Sequence, residues 1–220
     1  MSDKKIAIID CDDVIVNLKD HLLISLNEEF GRDYKPEEWV TYDLTELYEV
    51  DFDNILELFH KYDIIGSSKP FDYSLDAVNK LQEMGFECHL LTARGWHKNA
   101  LELTQNSLEG WGFKMDEIHI LPNGINKGQY LRLKGLGGDF FIDDNFEHAR
   151  SVAMTNKVDK VYLRNESWNI NECLKKFNNI ERVDNLREAA EKIQEIELAK
   201  NIVHDYSAPA YKARPSKLKM

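Results

Sequence analysis

No stretch of this chain approaches the roughly 20 apolar residues that a membrane-spanning helix requires, so no membrane partner is expected. Cysteine is scarce as well. Cys11, Cys88 and Cys173 are scattered and odd in number. That spacing offers neither a disulfide framework nor a cysteine zinc site, and it favours a reducing compartment. Met1 to Lys5 lead into an apolar run too short for a signal peptide, so a cytoplasmic location is expected. A surplus of basic residues is also missing. The net charge of −11 argues against a long nucleic acid held by bulk electrostatics. It leaves room for a small phosphorylated substrate in a locally positive site. No internal repeat recurs at a fixed period.

What is present suits one domain with an insertion: 220 residues, of which 43% are hydrophobic and 30% charged. The most informative stretch is Ile6 to Val14. Ile6, Ala7, Ile8 and Ile9 read as a strand buried on both faces, as in a parallel α/β sheet. The strand runs directly into Asp10, Cys11, Asp12 and Asp13. In such sheets chemistry gathers beyond the carboxyl ends of the strands. Alternation with period two can turn Asp10 and Asp12 the same way, as a nucleophile and a proton carrier. The plainer alternative is a helix cap in a solvated loop. Cys11 points the other way on this reading and fills the core.

Leu18, Leu22, Leu26 and Phe30 recur every fourth residue, so Val14 to Phe30 reads as a helix stopped by Gly31. Pro36 with Glu37 and Glu38 suggests a further first turn, and Asp51 a cap for a helix bearing Ile55, Leu56, Leu58 and Phe59. Residues 15–70 therefore form a small, acidic helical cap, rich in aromatics. The Gly66 to Pro70 run is its hinge back to the main domain. That domain comprises residues 1–14 and 71–199. From residue 200 the composition turns loop-like and basic, and 200–220 is expected to be a flexible tail.

Three later strand ends repeat the opening pattern. Phe86 to Leu91 is followed by Thr92, Ala93 and Arg94, then a helix from about His97. A hydroxyl and free backbone N–H groups before a helix suit an anion, although Thr92 alone could cap a turn. Glu117 to Leu121 leads to Asn126, the cap of a helix with Lys127 in its first turn. A cation there opposes the helix dipole by about 0.3–1 kcal/mol, which makes sense if Lys127 points at an anion. Phe140 to Ile142 is a strand closed by Asp143 and Asp144. Strands at Val161 to Leu163 and Ile180 to Val183 follow, then a helix capped by Asp184 and running through Leu198. Two carboxylates about 4 Å apart repel by roughly 4 kcal/mol at an effective dielectric near 20. Asp10, Asp143 and Asp144 cannot crowd together without a counter-ion. Lys127 offsets part of this, and a hard divalent ion such as Mg²⁺ offsets more.

The pattern Asp10-x-Asp12-x-Val14, then Leu-Leu-Thr92-Ala-Arg, then Lys127, then Phe-Ile-Asp143-Asp144 resembles the four motifs of the haloacid dehalogenase-like (HAD) superfamily of phosphatases. The resemblance spans about residues 4–198. The insertion after the first strand resembles that superfamily's first cap type, and the chain looks most similar to the 5′(3′)-deoxyribonucleotidase branch. What the resemblance implies is an α/β fold: a Rossmann-like parallel sheet flanked by helices, with a small helical cap. It also implies a Mg²⁺-dependent phosphomonoesterase acting on nucleoside monophosphates, with a homodimer allowed for. Asp10 would take the phosphoryl group as an aspartyl-phosphate, and Asp12 would shuttle the proton. Asp10, the Asp12 carbonyl and one or both of Asp143 and Asp144 would hold Mg²⁺. Thr92, Ala93, Arg94 and Lys127 would bind the substrate phosphate, with Thr92 and Lys127 also serving catalysis. The family usually has Gly where this chain has Asp13; Asp tolerates a left-handed backbone better than most residues, so the turn can survive the change. The competing readings are another small phosphate ester (a sugar phosphate or a 3′-phosphate end) and a non-enzymatic phospho-acceptor.

Overall fold

The computed structural model describes residues 4–207, with side chains through residue 200. Six parallel strands form one sheet: β1 (Lys5–Ile9), β2 (Phe86–Thr92), β3 (Glu117–Ile120), β4 (Gly138–Asp143), β5 (Val158–Arg164) and β6 (Ile180–Val183). Their order across the sheet is β3-β2-β1-β4-β5-β6. The chain thus winds outward from β1 in one direction, then returns to the centre and winds outward in the other. That reversal leaves a crevice between the ends of β1 and β4, the place where open α/β sheets bind ligands. The fold is therefore the Rossmann-like α/β arrangement expected from the buried strands.

The strands are central because they are apolar on both faces. Ala7 and Ile9 join one layer of the core with Cys88, Leu90, Phe140 and Ile142. Ile8, Leu91, Phe141, Val161 and Leu163 join the other. Helices cover both faces, as a sheet without a polar side requires.

Four helices lie between β1 and β2: α1 (Leu18–Phe30), α2 (Leu44–Tyr48), α3 (Phe52–Lys61) and α4 (Ile64–Ser67). Leu22 and Leu26 of α1 are buried against Ile55 and Leu58 of α3, in the core layer that also holds Ile9. The Pro36–Glu38 stretch is a single 3-10 turn rather than the start of a helix. Helix α1 begins at Leu18, four residues later than periodicity suggests. The Cys11 carbonyl accepts the N–H groups of Ile15 and Val16, at 2.9 and 3.0 Å, and holds these residues in a tight turn. Gly66 and Ser67, expected in the hinge, are helical. The connection back is Lys69 to Phe71. It runs beside the outgoing chain, with Asn17 N–H donating to Lys69 O (2.8 Å) and Phe71 N–H to Ile15 O (3.0 Å).

The remaining helices are α5 (Ser74–Glu83), α6 (Ala100–Gly110), α7 (Lys127–Lys134), α8 (Phe146–Ala153) and α9 (Leu186–Ser207). Asn185, not Asp184, caps α9: its side chain accepts the Glu188 N–H at 3.0 Å, while the Asp184 N–H donates to the Glu188 carboxylate at 2.7 Å. The helix also passes residue 200, where a tail was expected, because no Gly or Pro interrupts it before Ser207. The rest of the expected tail, 208–220, lies outside the described residues. No helix among the described residues is long and apolar enough to cross a membrane.

Candidate active site

Asp10 follows β1 directly, and its N–H donates to Ile142 O of β4 at 3.0 Å. This backbone bond brings the end of β1 against the end of β4, and so Asp10 against Asp143. Lys127 enters from the first residue of α7. Its capping box fixes the helix start: the Asn126 side chain accepts the Gln129 N–H while Gln129 reaches back to Asn126 N–H. The fully buried Lys127 ammonium then sits between two carboxylates, 2.6 Å from Asp10 Oδ1 and 2.7 Å from Asp143 Oδ2. Burial works against its charge, but Asp10 and Asp143 outweigh burial and hold the ammonium above its ordinary value.

Asp10, Asp143 and Asp144 each offer a carboxylate oxygen, all within 4.8 Å of one another. Burial pushes all three above the usual carboxylate range, and Lys127 opposes this most strongly at Asp10 and Asp143. For Asp144 the next causes after burial are the charges of Asp143 and Asp10. Asp143 is further occupied, since its Oδ1 accepts the Asn145 N–H at 2.8 Å. Three buried acids thus share one ammonium, and Asp144 is the one that Lys127 does not pair with and offsets least. A hard, all-oxygen donor set with surplus negative charge fits Mg²⁺.

Asp12 lies on the same side and 25% of its side chain is exposed. Thr92 Oγ1 is 3.4 Å away. Arg94, expected on the phosphate, is instead placed on Asp12. Its Nε and Nη2 reach the two carboxylate oxygens at 2.9 and 2.5 Å, and its Nη1 donates to Thr104 at 2.9 Å. A planar fork matched to a carboxylate and held by a third bond is a stable posture for arginine. Helix α6 begins at Ala100, not near His97. Arg94 to Asn99 form turns, with Asn99 N–H donating to His97 Nδ1 at 3.1 Å. Any anion near Thr92 and Ala93 therefore meets loop N–H groups rather than a helix terminus.

Asp13 does take the left-handed conformation, with φ 53°. Its carboxylate accepts the Lys19 N–H at 2.8 Å and so starts α1, and Arg164 bonds its carbonyl. Cys11 is buried, as alternation suggests.

Several neighbours of the site were not legible in the sequence. The Asn169 amide donates to Asp144 O (2.6 Å) and Arg164 O (2.7 Å), tying the loop after β5 to the acid pair. His148 is half-buried, and its Nδ1 accepts the Lys127 N–H at 3.4 Å. Burial, with Lys127 second, lowers the His148 imidazole to about 4, so it is neutral at neutral pH. Tyr42 projects from the helical insertion and is more than half exposed overall, but its hydroxyl end is enclosed beside the acids; that enclosure, then the charge of Asp144, pushes the hydroxyl well above the ordinary value. A lone Tyr or Asn in a loop, or a single His on a short helix, carries no spacing signal that could have flagged these roles.

A cavity of about 630 Å³ opens above the acids. Its floor includes Asp10, Asp12, Lys127 and Asp144; its walls are aromatic. Phe59 of α3 meets Trp96 of the β2 loop edge to face, with centroids 5.0 Å apart. Trp39 of the insertion packs on Trp168 of the β5 loop at 5.3 Å. Tyr42 and Phe52 are more than half exposed within this lining.

No family model matches the chain, and no curated protein matches it. Solved structures do match. A predicted phosphatase from Clostridium acetobutylicum superposes with a TM-score of 0.61 at 17% identity, covering 87% of this chain and 99% of that one. A HAD-superfamily hydrolase of subfamily IA, variant 1, from Geobacter sulfurreducens gives 0.53 at 15% identity, covering 86% and 96%. A dehalogenase gives 0.57 at 11% identity, covering 87% and 98%. The fold is that of the HAD hydrolases. At these identities the likeness is one of architecture. A phosphatase and a dehalogenase share the HAD fold, so the reaction must be argued from the side chains.

Proposed function

We propose that the protein is a Mg²⁺-dependent phosphomonoesterase that forms an aspartyl-phosphate on Asp10. The observation that carries this reading is the Asp10–Lys127–Asp143 arrangement at the sheet's reversal point, with Asp12 and Asp144 beside it. Asp10 Oδ would attack phosphorus while the ester oxygen departs and takes a proton from Asp12. Water would then attack phosphorus, release phosphate from Asp10 and return a proton to Asp12. Lys127 holds Asp10 in place and offsets charge on the phosphoryl oxygens. Thr92 and the Ala93 N–H are the remaining phosphate contacts.

Asp10, the Asp12 carbonyl and Asp144 are the residues that would hold Mg²⁺, with Asp143 occupied by Lys127. The bound ion would supply charge neutralisation across the acids and the phosphoryl group. Arg94 bonds both Asp12 oxygens and so orients the carboxylate; each oxygen keeps a further lone pair for the proton it would pass.

Nucleoside monophosphates are the substrates this reading favours, in line with a 5′(3′)-deoxyribonucleotidase. The support is the aromatic lining of the cavity. A base stacked on such a ring gains about 1–3 kcal/mol, and the helical insertion would act as a lid that excludes water. Its acidity disfavours long polyanions. The test is phosphate release across nucleotides and sugar phosphates, with and without Mg²⁺. Asp10→Asn should abolish turnover of every substrate and keep the wild-type circular dichroism. A fully active Asp10→Asn would remove the mechanism, and sugar phosphates outpacing every nucleotide would remove the substrate assignment.

A further inference from the structure

A second cluster of metal-type ligands lies at the β3 edge of the sheet, on β2 and β3, with β3 two strands away from β1 and its acids. His89 of β2 pairs in register with Glu117 of β3, and Leu91 with His119. Period-two alternation places Glu87 and His89 on one face of β2, beside Glu117 and His119 on the same face of β3. One donor atom from each of His89, Glu117 and His119 lies within 4.8 Å of the others. The two imidazole rings are 5.7 Å apart.

The hydrogen bonding of these rings is incomplete. His89 is 5% exposed, and its Nε2 has no hydrogen-bond partner among the described residues. Its Nδ1 faces Glu117 at 3.9 Å, beyond hydrogen-bond reach. His119 Nε2 is also buried without a partner, although it stands 3.1 Å from Glu117 Oε2. Charged residues on an edge strand discourage pairing with other sheets. That role explains Glu117, which is exposed, but it needs no buried and unpartnered imidazoles.

From this geometry we infer that His89, Glu117 and His119 form a Zn²⁺ site that clips edge strand β3 to β2. Two imidazole nitrogens and a carboxylate are ligands zinc takes readily, with water as a fourth. His89 would ligate through Nδ1, which turns Nε2–H towards Glu87, now 3.7 Å away. Glu87 is itself anchored to Lys4 at 2.8 Å. His119 would ligate through Nε2, leaving Nδ1–H for the Tyr130 hydroxyl at 3.5 Å. Carboxylate and hydroxyl partners on the far nitrogens are what fix the tautomers of zinc-bound histidines. Lys134 is the nearby cation that opposes the site, and its ammonium is drawn over the Tyr130 ring at 5.8 Å. The inference is independent of the phosphatase reading.

Co²⁺ is the probe, because a histidine-ligated tetrahedral centre absorbs visibly where an all-oxygen magnesium site does not. The full chain, in excess Mg²⁺, should take up one absorbing Co²⁺ that Zn²⁺ displaces. Zn²⁺ should also raise its melting temperature. Glu117→Gln alters an exposed side chain and should fold normally, yet weaken Co²⁺ binding by about 100-fold or more. His119→Gln should do the same, and Asp10→Asn should bind like the wild type. The inference is overturned if the wild-type chain shows no such absorption, or if both variants bind undiminished. Absorption lost in Asp10→Asn but kept in Glu117→Gln would also overturn it.

Discussion

At the scale of single residues, the site is governed by one buried cation. Lys127 is enclosed by Asp10 and Asp143. Replacing it with Met leaves two buried carboxylates uncompensated, which costs about 3–5 kcal/mol. Lys127→Met should therefore lower the urea midpoint strongly, and added Mg²⁺ should recover part of the loss. An unchanged midpoint would mean that the acids do not depend on Lys127. His148 gives a pH signature. Its folded value is lowered to about 4, against about 6.5 unfolded, so the unfolded chain binds the extra proton. The stability that neutral His148 contributes is complete above about pH 6.5 and is lost as pH falls towards 4. Between pH 7 and 5 the wild type should lose about 2 kcal/mol more than His148→Gln in urea unfolding. Equal losses would show that His148 titrates normally. The motif residues were legible because acids after apolar strands stand out in a sequence. Arg94 was less legible, because the same sequence allows it to face a phosphate or Asp12; in the structure Asp12 and, from the next helix, Thr104 hold its guanidinium.

At the scale of elements, the position of Lys127 depends on how α7 packs on α8. Gly128 lies directly against α8: an added Cβ there would sit 2.2 Å from Ser151 O. Gly128→Ala must push α7 away, at a cost of about 1–3 kcal/mol for overpacking. It should also draw Lys127 away from Asp10, so that kcat falls more than KM changes. A variant with wild-type kinetics would show that α7 tolerates the shift. Strand positions followed from the sequence to within a residue or two for β1, β2, β3, β4 and β6, while β5 begins three residues earlier than its apolar run. Helix starts were less legible. Leu18–Phe30 and Ala100–Gly110 both begin after turns whose hydrogen bonds, at Cys11 O and His97 Nδ1, leave no periodic trace.

At the scale of the whole molecule, the helical insertion meets the sheet domain through tryptophans. Trp39 touches Trp168, and Trp96 touches Phe59 across the cavity, while Trp111 is exposed elsewhere, at the end of α6. If the insertion closes over a substrate, intrinsic fluorescence must report it. Adding a non-hydrolysable nucleotide analogue with Mg²⁺ should shift the tryptophan emission, and Trp96→Phe should remove a large part of the change. Binding by calorimetry with no change in emission would show that the insertion does not move.

The amino-acid order alone determined a parallel α/β sheet, a helical insertion after the first strand and the acids, hydroxyl and lysine at four strand ends. Those features depend on alternation, apolar runs and turn residues, which are local. Tertiary structure alone decided which acid Lys127 neutralises, which group Arg94 holds and which aromatics wall the cavity. Those choices are made between residues distant in sequence, where packing and charge compensation in three dimensions replace periodicity as the governing physics.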